Sequence, residues 1–269
     1  MVKRIHHIVQ HRTGISGVDA MTMLTEHSFP RHSHDQFGIG VMTMGAQCSW
    51  SSLGKVESRV GDIIMVNPGE MHDGAPMGGV RGWHIVYLDP GLVMREVASE
   101  IATTGFEIRP VAQDPQLGGE ILRFFRELSE PVPDLFAREE ALLCFLMRVL
   151  QRHGMDGPRP RDANKTPSTR LAVQRLEDES ENSVSLAALA DLCGLSRFQL
   201  LRSFSREMGV TPHAYLIQLR VRKARRLLAI GKSPVEVALL TGFADQSHLT
   251  RFFARQFGVT PGCYQAAIA

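Results

Sequence analysis

The sequence predicts a multi-domain α+β protein, with a small β-rich domain at the N-terminus and an all-helical domain at the C-terminus. Three observations carry this prediction. Short β-type runs alternate with glycine turns before residue 112, a polar Gly/Pro-rich break follows at 154–168, and a helical pattern repeats within 185–264. The 269-residue chain is long enough for two cores, because domains cluster at roughly 100–150 residues.

The N-terminal domain is predicted to span residues 1–153. Runs such as FGIGVMTMG, DIIMV and WHIVYLDP, punctuated by Gly and Pro, indicate a small barrel or sandwich over about 1–112. The stretch at about 116–153 has a helical apolar period, clearest in REEALLCFLMRVLQRH. Its apolar face is equally compatible with packing on its own domain and with pairing between two copies of the chain.

A linker is predicted at 154–168, GMDGPRPRDANKTPS, because this stretch is almost free of apolar residues. The second domain then covers 169–269. It carries 13 Lys/Arg and 8 Asp/Glu, a charge of +5, whereas residues 1–168 carry 17 and 20, a charge of −3. The positive field therefore lies on the C-terminal part, where an anionic polymer would bind.

Cysteine usage and hydropathy exclude several classes of protein. Cys48, Cys144, Cys193 and Cys263 lie far apart without a CxxC pair, which argues against a disulfide framework and a cysteine zinc site. The basic N-terminal residues have no apolar stretch behind them, and no run approaches the ~18 apolar residues of a membrane span. We therefore expect a soluble, cytoplasmic protein without a membrane partner.

An internal repeat occupies most of the C-terminal domain. The first copy is SLAALADLCGLSRFQLLRSFSREMGVTPHAY and the second is SPVEVALLTGFADQSHLTRFFARQFGVTPGCY. Most equivalent residues are 49 positions apart, but the turn glycines Gly194 and Gly242 are 48 apart. Each copy reads as helix, glycine turn, helix, which predicts helix-turn-helix motifs at about 186–207 and 234–257. The predicted helix caps are Ser185, Ser196, Ser233 and Asp245, with Gln199 and Glu236 completing capping boxes.

The second helix of each copy separates into a buried stripe and an outer face. The stripes recur every four residues, as Leu200, Phe204 and Met208 and as Leu249, Phe253 and Phe257. Arg, Gln, Ser and Thr dominate the outer faces, and these side chains can read base edges in the major groove. On the residues alone, a helical repeat that binds a protein partner is the alternative. The outer faces hold Phe198, Arg202, Ser205 and Arg206 in the first copy and Gln246, Ser247, Thr250, Arg251, Ala254 and Arg255 in the second.

Residues 170–267 resemble the DNA-binding domain of the AraC/XylS family of bacterial transcription regulators. The resemblance rests on the G-L-S and G-F-A turns, the L-x-x-x-F stripes and the G-V-T-P-x-x-Y closures. It implies two helix-turn-helix modules joined by one long helix, here at about 213–230, and double-stranded DNA as the partner. The basic run on that helix, 220–226, is compatible with phosphate contacts and with a solvated face. The predicted DNA-binding residues are Phe198, Gln199, Leu201, Arg202, Ser205, Gln246, Ser247, Thr250 and Arg251.

Two N-terminal segments, PRHSHDQFGIGVMTMGAQ and VGDIIMVNPGEMHDGAP, resemble the half-motifs of the cupin-like barrels that precede many AraC-type DNA-binding domains. His32 and His34 are two apart and would share a strand face, and His72 follows in the second segment. Three histidines can bind a metal. Metal-binding cupins usually add a Glu a few residues later, however, and residues 36–39 offer none. We therefore predict no metal and no other cofactor.

A small barrel can enclose one small ligand. Trp83 and Tyr87 share one face of a predicted strand, and His84 and Val86 share the other. The sequence does not tell which face points inward, and core packing of Trp83 and Tyr87 is equally compatible. The candidate ligand-binding residues are Arg31, His32, His34, His72, Trp83 and Tyr87.

Together these patterns predict a non-enzymatic transcription regulator that binds DNA and a small-molecule effector. RNA polymerase and a second copy of the chain are the further partners that the resemblance implies. Two alternatives stay open. One is a metal-dependent cupin enzyme fused to a DNA-binding domain, and the other is a regulator whose barrel serves only for dimerisation or for a protein partner.

Overall fold

The computed structural model describes residues 5–51, 54–97, 106–156, 165–182 and 184–268. The chain divides into two compact units, Met1–Pro158 and Arg159–Ala267. The described sheets lie in the first unit, and the described part of the second unit is helical. Among the described helices, none combines the length and the apolar character that a membrane crossing needs.

The described residues of the first unit form two main antiparallel sheets and three helices. One sheet has the strand order β1-β2-β9-β4-β7-β11, the other has the order β3-β8-β5-β6, and β10 pairs with β12. Its strands are β1 (His6–His11), β2 (Val18–Thr25), β3 (Phe29–His32), β4 (Phe37–Met44), β5 (Ala46–Ser51), β6 (Gly54–Arg59), β7 (Ile63–Val66), β8 (His72–Pro76), β9 (Arg81–Leu88), β10 (Phe106–Ile108), β11 (Val111–Ala112) and β12 (Gly154–Asp156). Its helices are α1 (Pro90–Val97), α2 (Pro115–Ser129) and α3 (Leu135–His153).

The two faces of the six-stranded sheet have different neighbours. On one face, alternate residues of β2, β4, β7 and β9 form a single apolar core with α1, α2 and α3. The opposite face meets the four-stranded sheet. The Trp83 ring of β9 lies 6.3 Å from the Phe29 ring of β3, and Arg81 at the start of β9 donates a hydrogen bond to Gln47 of β5. The interior between the two sheets is therefore lined by the second set of alternating residues.

Regular structure differs from the expectation at two places. The helical stretch predicted at 116–153 is two helices, because Pro131 and Pro133 interrupt it and Asp134 caps the second one by accepting from the Ala137 N–H. The segment predicted as a linker is regular at both of its ends. Gly154–Asp156 forms β12, and a helix begins at the far end, where the Thr166 hydroxyl accepts from the Thr169 N–H.

The second unit is a chain of helices whose bounds agree with the repeat. The long helix predicted at about 213–230 is observed within one residue of those ends. All four predicted N-cap residues accept a backbone N–H three positions on, and both predicted capping boxes are formed. Its helices are α4 (Pro167–Asp178), α5 (Leu186–Leu192), α6 (Arg197–Met208), α7 (Pro212–Ala229), α8 (Pro234–Leu240), α9 (Gln246–Phe257) and α10 (Pro261–Ile268).

The apolar stripes of the repeat are buried as predicted. Leu200 and Phe204 are fully buried, as are Leu249 and Phe253 at the equivalent positions, although Phe257 is only half-buried. Each copy closes on a tyrosine from the following helix, and both aromatic pairs are edge-to-face. The stripes thus leave the opposite faces of α6 and α9 to solvent.

Candidate functional site

Three histidines meet at one end of the interior of the N-terminal unit. His32 ends β3 and pairs in register with His72 at the start of β8, and His34 lies in the loop that follows β3. The ring centroids are 4.4–5.0 Å apart, and one ring nitrogen of each residue lies within 4.8 Å of the others. The structure therefore brings together all three histidines that the sequence predicts.

Hydrogen bonds fix the orientation of two of these rings. The Nδ1 of His32 donates to the Pro30 carbonyl at 2.7 Å, and the Nδ1 of His72 donates to the Glu70 carbonyl at 3.0 Å. The Nε2 atoms of His32 and His34 are 3.1 Å apart, a hydrogen-bond distance. Since each Nδ1 carries its proton toward a carbonyl, the Nε2 lone pairs of His32 and His72 are the acceptors.

Burial keeps His32 and His72 uncharged. Loss of solvent, and then repulsion from His72, lowers the pKa of His32 from 6.5 to about 3, and burial also lowers the pKa of His72. Neutral imidazoles accept hydrogen bonds from a ligand or ligate a metal. The described side chains offer a metal three imidazole nitrogens. Gln36 donates to the Asp19 carboxylate instead, and the Glu70 carboxylate accepts from the Asn67 backbone and side chain.

The structure shows which face of β9 points toward the interior, a question that the sequence left open. Trp83 and Tyr87 point toward the second sheet, where the Tyr87 ring lies 5.1 Å from the ring of His34. His84 is on the opposite face and packs on Phe125 of α2. Burial raises the pKa of the Tyr87 hydroxyl above its usual range, so it stays a neutral donor. Both predicted aromatic residues therefore line the interior.

Arg31 is a predicted ligand residue whose side chain points away from the interior. Its guanidinium stacks over the Trp50 ring at 4.0 Å and lies 3.6 Å from the Asp73 carboxylate. Adjacent strand residues point to opposite faces. Because His32 faces inward, Arg31 faces outward, where its side chain is 30% exposed.

Arg81 is a buried charge that the sequence analysis missed. It is 0% exposed at the start of β9, on the same face as Trp83, and burial lowers its pKa to about 10, so it remains a cation. Its Nε donates to the Gln47 side chain at 3.1 Å and its Nη2 donates to the Gly74 carbonyl at 3.1 Å. A single Arg opening a β-type run has no sequence signature that would have identified it.

In the first copy of the repeat, the predicted DNA-binding residues lie on the outer face of α6. Phe198 is 71% exposed, and Gln199, Leu201 and Arg202 are also exposed, whereas Ser205 is half-buried. The Gln199 side-chain oxygen accepts from the Ser196 N–H at 2.9 Å as part of the capping box. Only its amide NH2 is therefore open to a base.

The second copy presents a more polar outer face. Gln246, Ser247 and Arg251 are exposed on α9, and Thr250 is half-buried. Asp245 caps the helix through the His248 N–H, so Gln246 is not needed for the cap. The Arg251 guanidinium lies 5.2 Å from the centroid of the Phe252 ring, which holds it close to the helix surface.

The basic run on α7 includes a structural clamp. The Arg220 guanidinium donates to the carbonyls of Ser180 and Asn182, at 2.7 and 2.9 Å, and to that of Gly242 in the turn of the second copy. Lys223 forms an ion pair with Glu181 at 2.9 Å. Arg225 is buried. Arg220 and Arg225 are therefore engaged within the unit, whereas Lys223 lies at its surface.

Helix α3 has apolar residues on two sides. One row, which includes Leu142, Phe145 and Val149, is buried in the core of its own unit. The other row is exposed, with Phe136 75% exposed and Met147 49% exposed. Packing on its own unit, one of the two expected roles of this helix, is therefore observed, and the exposed row remains available.

Comparisons with known proteins agree for both units. Residues 20–145 match the model of the AraC-like ligand binding domain, and residues 189–267 match the model of a helix-turn-helix domain. The chain is 31% identical over 232 residues to the uncharacterized HTH-type transcriptional regulator YbfI of Bacillus subtilis, covering 82% of this chain and 81% of YbfI. It is 24% identical over 272 residues to the HTH-type transcriptional activator RhaS of Escherichia coli, covering 96% and 95%.

A solved structure shares the fold over the whole chain. It is ToxT from Vibrio cholerae bound to an unsaturated fatty acid, which matches with a TM-score of 0.54 and 11% identity, covering 100% of this chain and 97% of ToxT. At this identity the likeness concerns the fold alone.

Proposed function

The chain belongs to the AraC family of HTH-type transcriptional regulators. We propose that one of its two units binds DNA and the other binds an effector. The C-terminal unit binds specific DNA sequences through two helix-turn-helix modules, α5–α6 and α8–α9. The N-terminal unit is a cupin-like barrel that binds a small-molecule effector. The effector shifts the equilibrium between conformations that differ in DNA affinity, by its differential affinity for them.

The observation that carries the DNA-binding part is the duplicated helix pair. In both copies a fully buried leucine and phenylalanine fix the second helix, and an arginine stands at the equivalent outer position, Arg202 or Arg251. In a helix-turn-helix module this face enters the major groove. Gln246 and Ser247, at the exposed N-terminal end of α9, are best placed to reach base edges. Phe198, Gln199, Leu201, Arg202 and Ser205 would contact DNA in the first module, and Gln246, Ser247, Thr250 and Arg251 in the second.

The interior between the two sheets supports the sensing part. It combines neutral histidines, the Tyr87 hydroxyl and the Trp83 ring, a mixture of a few polar groups and apolar surface that suits a small organic ligand. Of the predicted ligand residues, His32, His34, His72, Trp83 and Tyr87 are retained in this proposal. The ToxT structure with a bound fatty acid shows that a protein of this fold holds a small organic molecule.

Two further partners fit this role. The exposed row of α3, with Phe136 and Met147, is the surface we assign to a second copy of the chain, because large exposed apolar side chains mark association surfaces. RNA polymerase would be the contact of an activator, and RhaS is named as an activator. We place the regulator in the cytoplasm and assign it no catalytic step.

The DNA-binding proposal is tested with the purified full chain and the DNA upstream of its own reading frame, followed by selection from a random library. Specific binding should weaken steeply with salt, because each phosphate contact releases counterions. A compound from a metabolite panel should change the affinity. Equal affinity for cognate and unrelated DNA of the same length, in both the upstream test and the selected pool, would contradict the proposal.

The geometry of the histidine cluster is also compatible with one alternative function, that of a metal-dependent cupin enzyme fused to a DNA-binding domain. The Nδ1–H groups of His32 and His72 donate to backbone carbonyls, as the non-ligating ring nitrogen of a metal-bound histidine commonly does. Stoichiometric iron, zinc or manganese in the purified protein, lost in His32→Ala and His72→Ala, would support the enzyme. Metal-free protein that still binds DNA and an effector would support the sensor. A barrel that binds neither would act only in dimerisation or partner binding.

A further inference from the structure

We propose that Arg81 binds the carboxylate of the effector, so that the ligand of the N-terminal unit is a small organic acid. This inference rests on the proposed sensing function and names its ligand class. It comes from the state of the Arg81 side chain, which is the most completely buried charged side chain among the described residues of the unit.

The charge of Arg81 lacks an ionic partner in the described part of the chain. Its side chain is 0% exposed, and its hydrogen bonds go to two neutral acceptors, the Gln47 amide oxygen and the Gly74 carbonyl. Burying an unpaired cation is unfavourable because the charge loses its hydration, and natural proteins normally offset that loss with an anion. A bound carboxylate would supply the missing anion.

The guanidinium has donors left for this anion. Arginine offers five N–H donors in a fixed fork, and the Gln47 and Gly74 contacts use one on Nε and one on Nη2. The Nη1 atom is buried and has no hydrogen-bond partner among the described residues. The two Nη1 N–H groups and the second N–H of Nη2 can therefore hold a carboxylate in the two-pronged arrangement that arginine favours.

The surroundings of Arg81 indicate the rest of the ligand. The Trp83 and Phe29 ring centroids lie 5.1 and 5.9 Å from the guanidinium carbon. Met23 and Met42, both buried, flank Trp83 in register on the neighbouring strands. Aromatic rings and flexible methionines favour an apolar or aromatic body, because methionine adapts its shape to what it packs against.

A second polar contact is within reach of the same ligand. His72 is two residues from Gly74 on β8, a separation of roughly 7 Å along the strand. Its Nε2 is an acceptor, as argued above. The ligand class is therefore an acid with an apolar or aromatic body, and a hydroxyl at its far end would gain a further hydrogen bond.

Arg31 provides a matched control in the same unit. It also lies over a tryptophan ring, that of Trp50, but on the outward face and beside the Asp73 carboxylate. The chain has two tryptophans, so Trp50→Phe leaves Trp83 as the only one and makes its fluorescence a direct report on the Arg81 site. Arg81→Gln removes the charge and keeps an amide donor for Gly74. Arg81→Lys keeps the charge.

The experiment titrates the full-length Trp50→Phe protein with matched acids and amides: benzoate and benzamide, 4-hydroxybenzoate and 4-hydroxybenzamide, hexanoate and hexanamide. At least one acid should change the Trp83 emission and raise Tm, while its amide does neither at the same millimolar concentration. Arg81→Gln should lower the affinity for the acid about 10–100-fold, since a hydrogen bond to a charged group is lost. Arg81→Lys should retain part of the preference, and Arg31→Gln should leave it unchanged.

The inference is wrong if every acid behaves like its amide in the Trp50→Phe protein, a result that needs no Arg81 variant to fold. It is also wrong if Arg81→Gln, folded by circular dichroism, keeps the full preference for the acid. DNA binding is measured on the same samples. If the protein binds specific DNA but does not prefer the acids to their amides, only the proposed ligand class is wrong. If the parent protein does not bind specific DNA, the proposed function is wrong.

Discussion

The two copies of the repeat have the same core and different outer faces. Phe204 meets Tyr215 with ring centroids 5.8 Å apart, and Phe253 meets Tyr264 at 5.6 Å, both edge-to-face. The buried positions have kept their geometry because close packing tolerates little change in volume or shape. The outer positions carry no such constraint, so they are free to serve different contacts.

The outer faces differ in polarity and in how their helix is capped. The first copy exposes Phe198 and uses the Gln199 oxygen in its capping box, whereas the second exposes Gln246 and Ser247 and uses Asp245 as its cap. Under the proposed function, base reading is concentrated in the second copy. The first copy contributes apolar contacts, such as those with thymine methyl groups.

The largest expected effect on stability comes from the buried phenylalanines, which should contribute equally in the two copies. Phe204→Ala and Phe253→Ala should each lower the free energy of unfolding by about 3–5 kcal/mol, because each leaves a cavity at a fully buried position. Urea denaturation of the full chain measures both. The exposed Phe198→Ala is the control and should stay within about 0.5 kcal/mol of the parent. A large loss for one core variant and a small loss for the other would break the comparison.

Replacing the two turn glycines by alanine should lower the stability of the protein by different amounts. Gly194 and Gly242 both have positive φ, +64° and +75°, so alanine costs each about 1–2 kcal/mol. A Cβ at Gly194 would meet nothing within 4 Å, but one at Gly242 would lie 2.4 Å from the Glu181 carbonyl oxygen. Gly242→Ala should therefore lose a further ~1–3 kcal/mol from the clash. Denaturation midpoints measure the difference, and equal losses would contradict it.

The arginines test where bases are read. Arg251→Ala should weaken binding to the cognate site by about 1–3 kcal/mol and relax the preference for one base. Arg202→Ala should cost less, since Ser203 takes the place of Phe252 and provides no ring beside that arginine. Fluorescence anisotropy gives the affinities, and selection from a library gives the base preference. An unchanged preference in Arg251→Ala would reject the assigned base contact.

The smallest expected effect concerns the caps. Asp245→Asn keeps an oxygen for the His248 N–H but removes a negative charge at the helix N-terminus, which should cost about 0.3–1 kcal/mol of stability at low salt. Ser196, the cap of α6, has no charge to lose, so Ser196→Asp should stabilise the first copy by a similar amount. Thermal unfolding at low and high salt checks both, since added salt should shrink the difference.

Periodic and local signals predicted the helical unit well. Turn glycines, cap residues and four-residue spacing place α5, α6, α8 and α9 to within about one residue, because these signals are properties of short segments. The β-rich unit was predicted only in outline. The inward direction of Trp83, and the outward direction of Arg31, depend on strand pairing between distant segments, which one sequence does not show.

The candidate sites show the same limit. The histidine cluster was predicted because a His-x-His pattern has a known spacing, and the structure brings its members together. The contacts of Arg81 and Arg220 were not predicted, because their partners are distant in sequence. Arg81 binds Gln47 and Gly74, and Arg220 binds three backbone carbonyls. An isolated arginine in a strand or a basic run carries no signal of such partners.

The Arg220 clamp has a consequence for the DNA. By holding the carbonyls of Ser180, Asn182 and Gly242 together, it ties the segment just before the first copy to the turn of the second, which favours a fixed spacing of α6 and α9. Under the proposed function, an operator read by both copies must then keep a fixed phase between its two segments. One inserted base pair turns the second segment by about 36°, and about five place it on the far side of the duplex. Operators of this regulator should therefore vary in sequence far more readily than in internal spacing.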